Sequence, residues 1–373
     1  MQVNLNQVYD ELNILEKLPS ASAYCHARKK IKPELFKEMN NLVVNKFYNL
    51  YDFKTFKGKR VLSVDVSCIN LPNEPDVIKR YGIQPGTFHD QAQGFGSFLY
   101  DSLNEITINA GLAKKKAEKD FIFKEHINYL NQGDILLLDK CYSDYSVIAF
   151  AKSKKLDFVI RFPVSGRFKA LDEFMLSEQK EIILDIKVTT SQKAFVEENS
   201  LPKEVRLSFV KIDIGKQEPE LLCTSLVDAT LDELKWLYQQ RWGIETYFDR
   251  LKNFFEIERF SSKSITGIEQ DFFGVVLLTN LETVLIQDAQ EEISRKTAKR
   301  KKKYKVNRSV SYSTILDYLV TLFVNKDPLV YDKINLLLET NPVIIRPGRN
   351  FPRNKLTPSQ KLRYNLYQKK VRA

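Results

Sequence analysis

"GDILLLD", residues 133–139, is an unbroken apolar run that ends in an aspartate. A short run without polar alternation reads as a strand buried on both faces. Upstream, "RVLSVDV" (60–66) is a second β-rich run. It carries Asp65 and precedes the turn residues "NLPN". "QGFGSFLYDS" and "NEITINAGLA" read as two more strands joined by a turn. "KAEKDFIFKEHINYL" has the spacing of an amphipathic helix. Downstream, "YSVIAFAKSK" reads as a helix and "LDFVIRF" as another buried strand. Three strands, helix, strand, helix, strand describes a mixed α/β sheet with flanking helices.

The texture changes twice more. Between 163 and 227, "EIILDIKVTT", "EVRLSFVKIDI" and "ELLCTSLV" alternate or run β-branched, which predicts an all-β excursion. "DATLDELKWLYQQRWGIETYFDRLKNFF" then reads as one long helix, opened by Thr230 and Glu233 in capping-box spacing. "IEQDFFGVVLLTNLETVLIQDAQ" (268–290) is apolar nearly all round, as a buried helix would be. Two amphipathic helices are expected near 311–325 and 329–340. At the other end, residues 1–57 read as three short helices, the second ending in a basic cluster. That pattern fits a helix-turn-helix-like DNA reader or an ordinary helical cap on a larger domain.

The chain has 373 residues, enough for two or three compact units, and a net charge of +11 with a pI near 9.2. Such an excess favours a polyanionic partner, most often nucleic acid, although a soluble protein can simply be basic. The stretch 295–308 holds nine basic residues and no acid, and so does the tail from Arg346 to Ala373. Each reads either as a phosphate-tracking surface or as a solvated loop or tail. Cys25, Cys68, Cys141 and Cys223, with His26, His89 and His126, are scattered and form no zinc pattern. The polar N-terminus is no signal peptide, and "FFGVVLLTNLETVLI" is interrupted by Asn and Glu and too short to span a bilayer. A soluble cytoplasmic protein with no membrane partner is expected.

Candidate chemistry gathers in "YQQRWGIETYFDRLK" (238–252). At about 100° per residue, Tyr238, Arg241, Glu245 and Lys252 fall within an arc of about 60°. They border the stripe of Leu237, Ile244, Phe248, Leu251 and Phe255, so the polar set lies along the rim of the buried side. Arg241 and Glu245 also suit a plain i,i+4 ion pair. Trp242 lies just beyond the rim, where it could stack on an unpaired base or pack against the neighbouring β-rich segment. Two-metal phosphoryl transfer needs several carboxylates at the ends of rigid elements. Asp65 and Asp139 are placed for that, with a turn residue and a helix N-cap as their bland alternatives.

These residues carry a resemblance. Tyr238, Arg241, Glu245 and Lys252 reproduce the Tyr-x2-Arg-x3-Glu-x6-Lys signature without a gap. The chain thus resembles the DDE transposases of bacterial insertion sequences. "SVDVSCINLP", "LYDSLNEITINAGL" and "DILLLDKCY" are similar to that family's first-Asp strand, hairpin and second-Asp strand, and "LPSASAYCHARKKIKPELFKE" to its N-terminal helices. The family often has Asp-Gly-Thr or Asp-Ser-Thr at the first site and Asp-Arg-Gly-Tyr at the second. Here stand Asp65-Val66-Ser67 and Asp139-Lys140-Cys141-Tyr142.

The resemblance implies an RNase H-like catalytic domain split by a β-rich insertion. It divides the chain into a helical DNA-binding part (1–57), the catalytic domain (58–162 and 228–290), the insertion (163–227) and a basic helical C-terminal region (291–373). It makes Asp65, Asp139 and Glu245 the catalytic, metal-binding triad for two Mg2+ ions, replaceable by Mn2+. Tyr238, Arg241 and Lys252 would then contact DNA, with Trp242 beside them. The implied partners are double-stranded DNA with terminal inverted repeats, target DNA and a second copy of the chain. The implied reaction is cut-and-paste transposition, with a nuclease that cuts without joining, or an inactive DNA-binding relic, as alternatives.

Overall fold

Within "VLSVDVSCIN", every residue from Leu62 to Asn70 pairs along one neighbouring strand, and this strand is the axis on which the rest is laid. The computed structural model describes residues 20–86, 90–114, 120–164, 168–213, 219–322 and 328–346. One unit comprises Met1–Gly82 with Ala92–Leu285, and the other Ile83–Gln91 with Ile286–Ala373.

The first unit opens with α1 (Ala21–Arg28), capped by the Ser20 hydroxyl, and α2 (Glu34–Leu50). The strands and helices that follow are β1 (Val61–Asn70), α3 (Pro75–Tyr81), β2 (Gln91–Asp101), β3 (Ile106–Ala113), β4 (Ile135–Leu138), α4 (Tyr145–Ser153) and β5 (Asp157–Phe162). Then come α5 (Lys169–Leu176), β6 (Glu181–Lys187), α6 (Lys193–Glu198), β7 (Glu204–Ile212) and β8 (Glu220–Thr224). The unit ends with α7 (Leu231–Gln240), α8 (Trp242–Asn253) and α9 (Ile265–Leu285).

These strands form one mixed sheet in the order β3–β2–β1–β4–β5–β8–β7–β6. β1, β4 and β5 are parallel neighbours, and every other pairing named here is antiparallel. The mixed α/β architecture read from the sequence is therefore present. Several local readings need correction. The stretch 163–227 is not all-β, because α5 and α6 interrupt it. Its strands also build no separate layer: β8 pairs with the open edge of β5, and β7 and β6 extend the same sheet outward. An unpaired edge of buried strand is costly, and β8 satisfies it. Where a helix is expected over 116–130, the described residues form a π turn at Phe121–Glu125 and a 3-10 turn at His126–Tyr129. The long helix breaks at Arg241 into α7 and α8. The helix "VYDELNILEKL" and the tail beyond Arg346 lie outside the described residues.

Strand alternation sorts the core. Leu62, Val64, Leu136, Leu138, Phe158, Ile160 and Cys223 point to one face, which α4 covers with Val147, Ile148 and Ala151. Val61, Ile135, Leu137, Val159 and Leu222 point to the other, beneath Leu234 and Leu237 of α7. Beside them, Ile244, Tyr247 and Leu251 of α8 pack on Phe98 and Tyr100 of β2.

α9 is buried along most of its length, and the polar residues that interrupt its apolar sequence have specific partners. Asn280 Nδ2 donates to Thr107 O (2.7 Å) and Asn40 Oδ1 (2.7 Å), and its Oδ1 accepts from Thr107 N (2.8 Å). Thr107 lies on β3, an outer strand, so one amide side chain pairs both backbone groups there. It also ties α2 to α9, alongside the Gln270 amide that donates to the carbonyls of Arg28 and Ile31. By length and composition the run Ile265–Thr297 could cross a bilayer, which corrects the shorter span read from the sequence. However, 56% of its most apolar window is buried inside the protein.

In the second unit, α10 (Gln287–Thr297), α11 (Arg308–Val320) and α12 (Pro328–Thr340) enclose a small core around Ile293, Val306, Ile334 and Leu338. β9 (Tyr304–Lys305) pairs with β10 (Val343–Ile344).

Asn280→Leu keeps the branched shape but strands the N–H of Thr107 and the Oδ1 of Asn40 in a dry site, and leaves the Thr107 carbonyl only its longer bond from Asn40 Nδ2 (3.2 Å). It is expected to lower unfolding stability by about 1–3 kcal/mol in a denaturant titration. A change within about 0.5 kcal/mol would show that this amide is dispensable.

Candidate active site

The last parallel pairs across the middle of the sheet are Val64↔Leu138 and Leu138↔Ile160. One residue further on, Asp65, Asp139 and Arg161 therefore form a row across β1, β4 and β5. They share the face that carries Val61, Leu137 and Val159. β4 stops at Leu138 while β1 runs on to Asn70, which opens a notch beside Asp65. Asp65 is thus an interior strand residue and not the residue before a turn.

The helices deliver the rest. The Thr230 hydroxyl accepts from Glu233 N and the Glu233 carboxylate from Thr230 N, so the capping box is formed, and it fixes the start of α7. Burial of Leu234 and Leu237 sets its rotation, and α8 follows directly after Arg241, whose backbone stays helical. Arg241 lies over the acids. Its Nη2 donates to Glu245 Oε1 (2.8 Å) and its Nη1 is 3.8 Å from Asp65 Oδ2. On the other side Arg161 Nη1 is 4.0 Å from Asp139 Oδ1, and Nη2 is 3.2 Å from Glu220 Oε1. Two guanidinium groups are thus interleaved with four carboxylates.

Each predicted site residue can now be placed. Asp65, Asp139 and Glu245 are brought together, and the charges of Asp139 and Glu245 both act on Asp65. Burial pushes the Asp65 carboxyl up to about 6; the two neighbouring carboxylates push the same way, while the Val66 N–H and Arg241 oppose them. Asp139 occupies the N-cap position of a short 3-10 turn without capping it, and its Oδ1 is buried with no hydrogen-bond partner. The N-cap of α4 is Asp144, whose carboxylate accepts from Ser146 N (3.0 Å). The bland roles considered for the two aspartates are therefore not the ones they play here. Among the described residues, no three His, Cys, Asp or Glu side chains already close into a metal cage. Arg241 stands between Asp65 and Glu245.

Tyr238, expected on a DNA-facing rim, is only 3% exposed. Its ring packs among Leu137, Val159 and Leu222, 5.5 Å from the Arg241 guanidinium. Burial raises its hydroxyl to about 12, and that oxygen has no hydrogen-bond partner. It does not reach solvent, because it shares the buried side of α7 with Leu234 and Leu237 against the sheet. Lys252 stands apart from the acids. Its Nζ donates to Cys68 O (2.7 Å) and lies 3.6 Å from Glu258, which accepts from Asn70 N, so it ties α8 to the far end of β1. Trp242 is 52% exposed, so it is not a core residue.

Arg161 and Glu220 are site residues that the sequence reading does not single out. The signal for Arg161 is present, a lone charge inside the otherwise apolar "FVIRF" at the parity of Asp139. Glu220 carries none, since only the β5–β8 register brings it there.

The desolvated, mutually repelling carboxylates and the orphaned Asp139 oxygen form a set of hard oxygen donors. These are the ligands that divalent ions such as Mg2+ take.

A family model described as "Transposase DDE domain" matches residues 56–281, more than half of the chain. A cryo-EM structure of a piggyBac transposase synaptic complex with hairpin DNA is similar at 12% identity with a TM-score of 0.39. The match covers 83% of this chain and 64% of that one, so the chain spans under two thirds of that relative's length. No curated protein matches the chain.

The raised Asp65 carboxyl has a consequence for stability. An unfolded aspartate titrates near 3.8, whereas in the fold it keeps its proton up to about 6. The folded chain therefore binds more protons between those values, and stability falls as pH rises through about 6. With metal removed by chelator, Asp65→Asn is expected to be more stable than wild type at pH 8, by up to about 2–3 kcal/mol. The gap should close below about pH 4. Thermal unfolding across pH measures it, and a variant less stable than wild type at pH 8 would contradict the charge balance described.

Proposed function

The chain belongs to the family of transposase DDE domains, and from that premise we propose that it cuts DNA at the ends of a mobile element and joins the freed ends to a target. The observation that carries the reading is the row of Asp65 and Asp139 on adjacent parallel strands, with Glu245 next to them on α8. An antiparallel hairpin beside parallel strands, with the acids on one face, is what an RNase H-like catalytic core would look like.

Asp65, Asp139 and Glu245 would hold the divalent ions, two Mg2+ or Mn2+ in their place. Ions bound there supply activation of a water or a DNA 3′-hydroxyl and charge stabilisation at the leaving oxygen. The chain's own residues supply the rest. The sheet fixes the two aspartates and needs no reorganisation to present them. Arg241 offers a forked donor to a phosphate, and Arg161 adds a second cation on the flank of Asp139. The buried ring of Tyr238 supports Arg241 from below, so its part is positioning and not direct contact. Trp242 is free to stack on an unpaired base, a contact of about 1–3 kcal/mol. Lys252 holds β1 in place and can reach DNA only by releasing Cys68 and Glu258. The partners that follow are duplex DNA with inverted terminal repeats, a target duplex and a second copy of the chain to pair the two ends.

The full chain with Mg2+ and a duplex carrying the sequences that flank its reading frame should yield nicked ends and joined products. Asp65→Ala, Asp139→Ala and Glu245→Ala should each reduce cleavage more than about a hundredfold, beyond the usual cost of disturbing a residue behind a metal ligand. Each should still bind the duplex in a gel-shift assay. Cleavage without any joined product would select the nuclease reading instead. Activity retained in one variant would remove that residue from the triad.

A further inference from the structure

The basic stretch 295–308 is uniform in sequence, but the fold divides it in two. Arg295 and Lys296 lie on α10 and are neutralised. Arg295 pairs with Glu292 (2.6 Å), and Lys296 pairs with Glu292 (3.2 Å) and Glu339 (2.7 Å). Past Thr297 the pattern changes. Lys299, Arg300, Lys301, Lys302, Lys303 and Lys305 are all exposed, and none has an acidic partner among the described residues.

This loop is anchored at both ends. Thr297 is buried and donates to Ile293 O (2.7 Å), and Arg300 N returns to Thr297 O (2.9 Å). At the far end Val306 is buried, with its N–H on Gln290 Oε1 (3.0 Å), and Ile345 N donates to Lys303 O (2.9 Å). The Tyr304 ring, packed against the small core, lies 5.1 Å from the Arg300 guanidinium. The charges therefore stand on a short connection between fixed points. Their mutual repulsion is screened by salt and is relieved most by a partner that brings several negative charges at close spacing.

We propose that the loop Lys299–Lys305 is a phosphate-tracking surface that grips the backbone of duplex DNA without reading its sequence. The partner rests on the transposase reading; the surface does not, because it lies in the second unit and shares no residue with the acids. One observation favours a nucleic-acid backbone over an anionic membrane: no large apolar side chain is exposed in the loop to insert into lipid. Five of its six cations are lysines, which act as point charges, and no Asn or Gln accompanies them to read base edges, so the contact is to phosphate and not to sequence.

The test uses the full chain without metal and a labelled random-sequence duplex of about 30 base pairs, titrated from about 0.05 to 0.4 M salt. The quadruple variant Lys299→Gln, Lys301→Gln, Lys302→Gln, Lys303→Gln should flatten the slope of log affinity against log salt. Each phosphate that the protein no longer neutralises takes about 0.9 off the slope, so a change of about 2–4 is expected, with affinity at about 0.1 M reduced at least tenfold. Replacing the same four by Arg should keep the wild-type slope, as should Arg295→Gln, whose charge is already paired. Lys301→Gln alone should remove about 0.9, a readout that survives if the quadruple variant folds poorly.

An unchanged slope in the Gln variants overturns the proposal, as does an equal drop in Arg295→Gln. Weakened binding to anionic vesicles with DNA binding intact would assign the loop to membranes and overturn it too. Wild-type cleavage and joining alongside an unchanged slope would sink the loop alone. A flattened slope in a protein that never cuts would uphold the loop and sink the transposase reading.

Discussion

Several carboxylates crowded on an apolar sheet face repel one another and lose hydration together, so the fold stands only if cations are set between them. That constraint organises the middle of this protein. Arg241 lies between Asp65 and Glu245, and Arg161 between Asp139 and Glu220. The balance is incomplete, because Asp65 still titrates high and one oxygen of Asp139 is buried without a hydrogen-bond partner. A site relaxed for stability alone would not leave an acid in that condition. Such groups cluster where a bound cation or a charged substrate is to complete the set.

The arrangement depends on strand register more than on any contact. Asp65 and Asp139 face α7 because they fall in the same alternation class as Val61 and Leu137. A slip of one residue in either strand would turn its aspartate into the opposite face, among Leu62, Val64, Leu136 and Leu138. There an unpaired carboxylate would cost several kcal/mol, on the order of the stability of a small domain. The apolar pattern that makes the sheet is therefore also what aims the acids.

This explains what can be read from the sequence. "RVLSVDV" and "GDILLLD" announce buried strands through composition alone, and a terminal or near-terminal Asp on each is visible without knowing the partners. The interruption at Arg241 is not legible, because the backbone there keeps a helical φ of −54° and ψ of −34° and only its hydrogen bonds tighten to the i+3 pattern. Nor is the continuation of the sheet through β8, β7 and β6, since alternation tells which residues are buried but not against which edge. Tyr238 is misplaced for the same reason. A wheel drawn for one straight helix puts it on a rim, and the real α7 lies flat on the sheet. Arg161 is readable as an anomaly, but its meaning needs the β4–β5 register.

The seating of the two helices also explains why Arg241 is the cation of the site that no strand holds. α7 is seated by Leu234, Leu237 and Tyr238 on β4, β5 and β8, and its start is fixed by the capping box and by the pair of Lys57 with Glu233 (2.8 Å). α8 is seated elsewhere, through Ile244, Tyr247 and Leu251 on β2, through Arg250 on Glu105 (3.1 Å) and through Lys252 on the end of β1. Arg241 lies in the segment 239–243 between these two anchorages and is held by its pairs with Asp65 and Glu245. Strand pairing fixes the two aspartates, whereas the guanidinium is held through its side chain alone. A phosphate competing with Glu245 and Asp65 for that guanidinium would need to disturb no strand to win it.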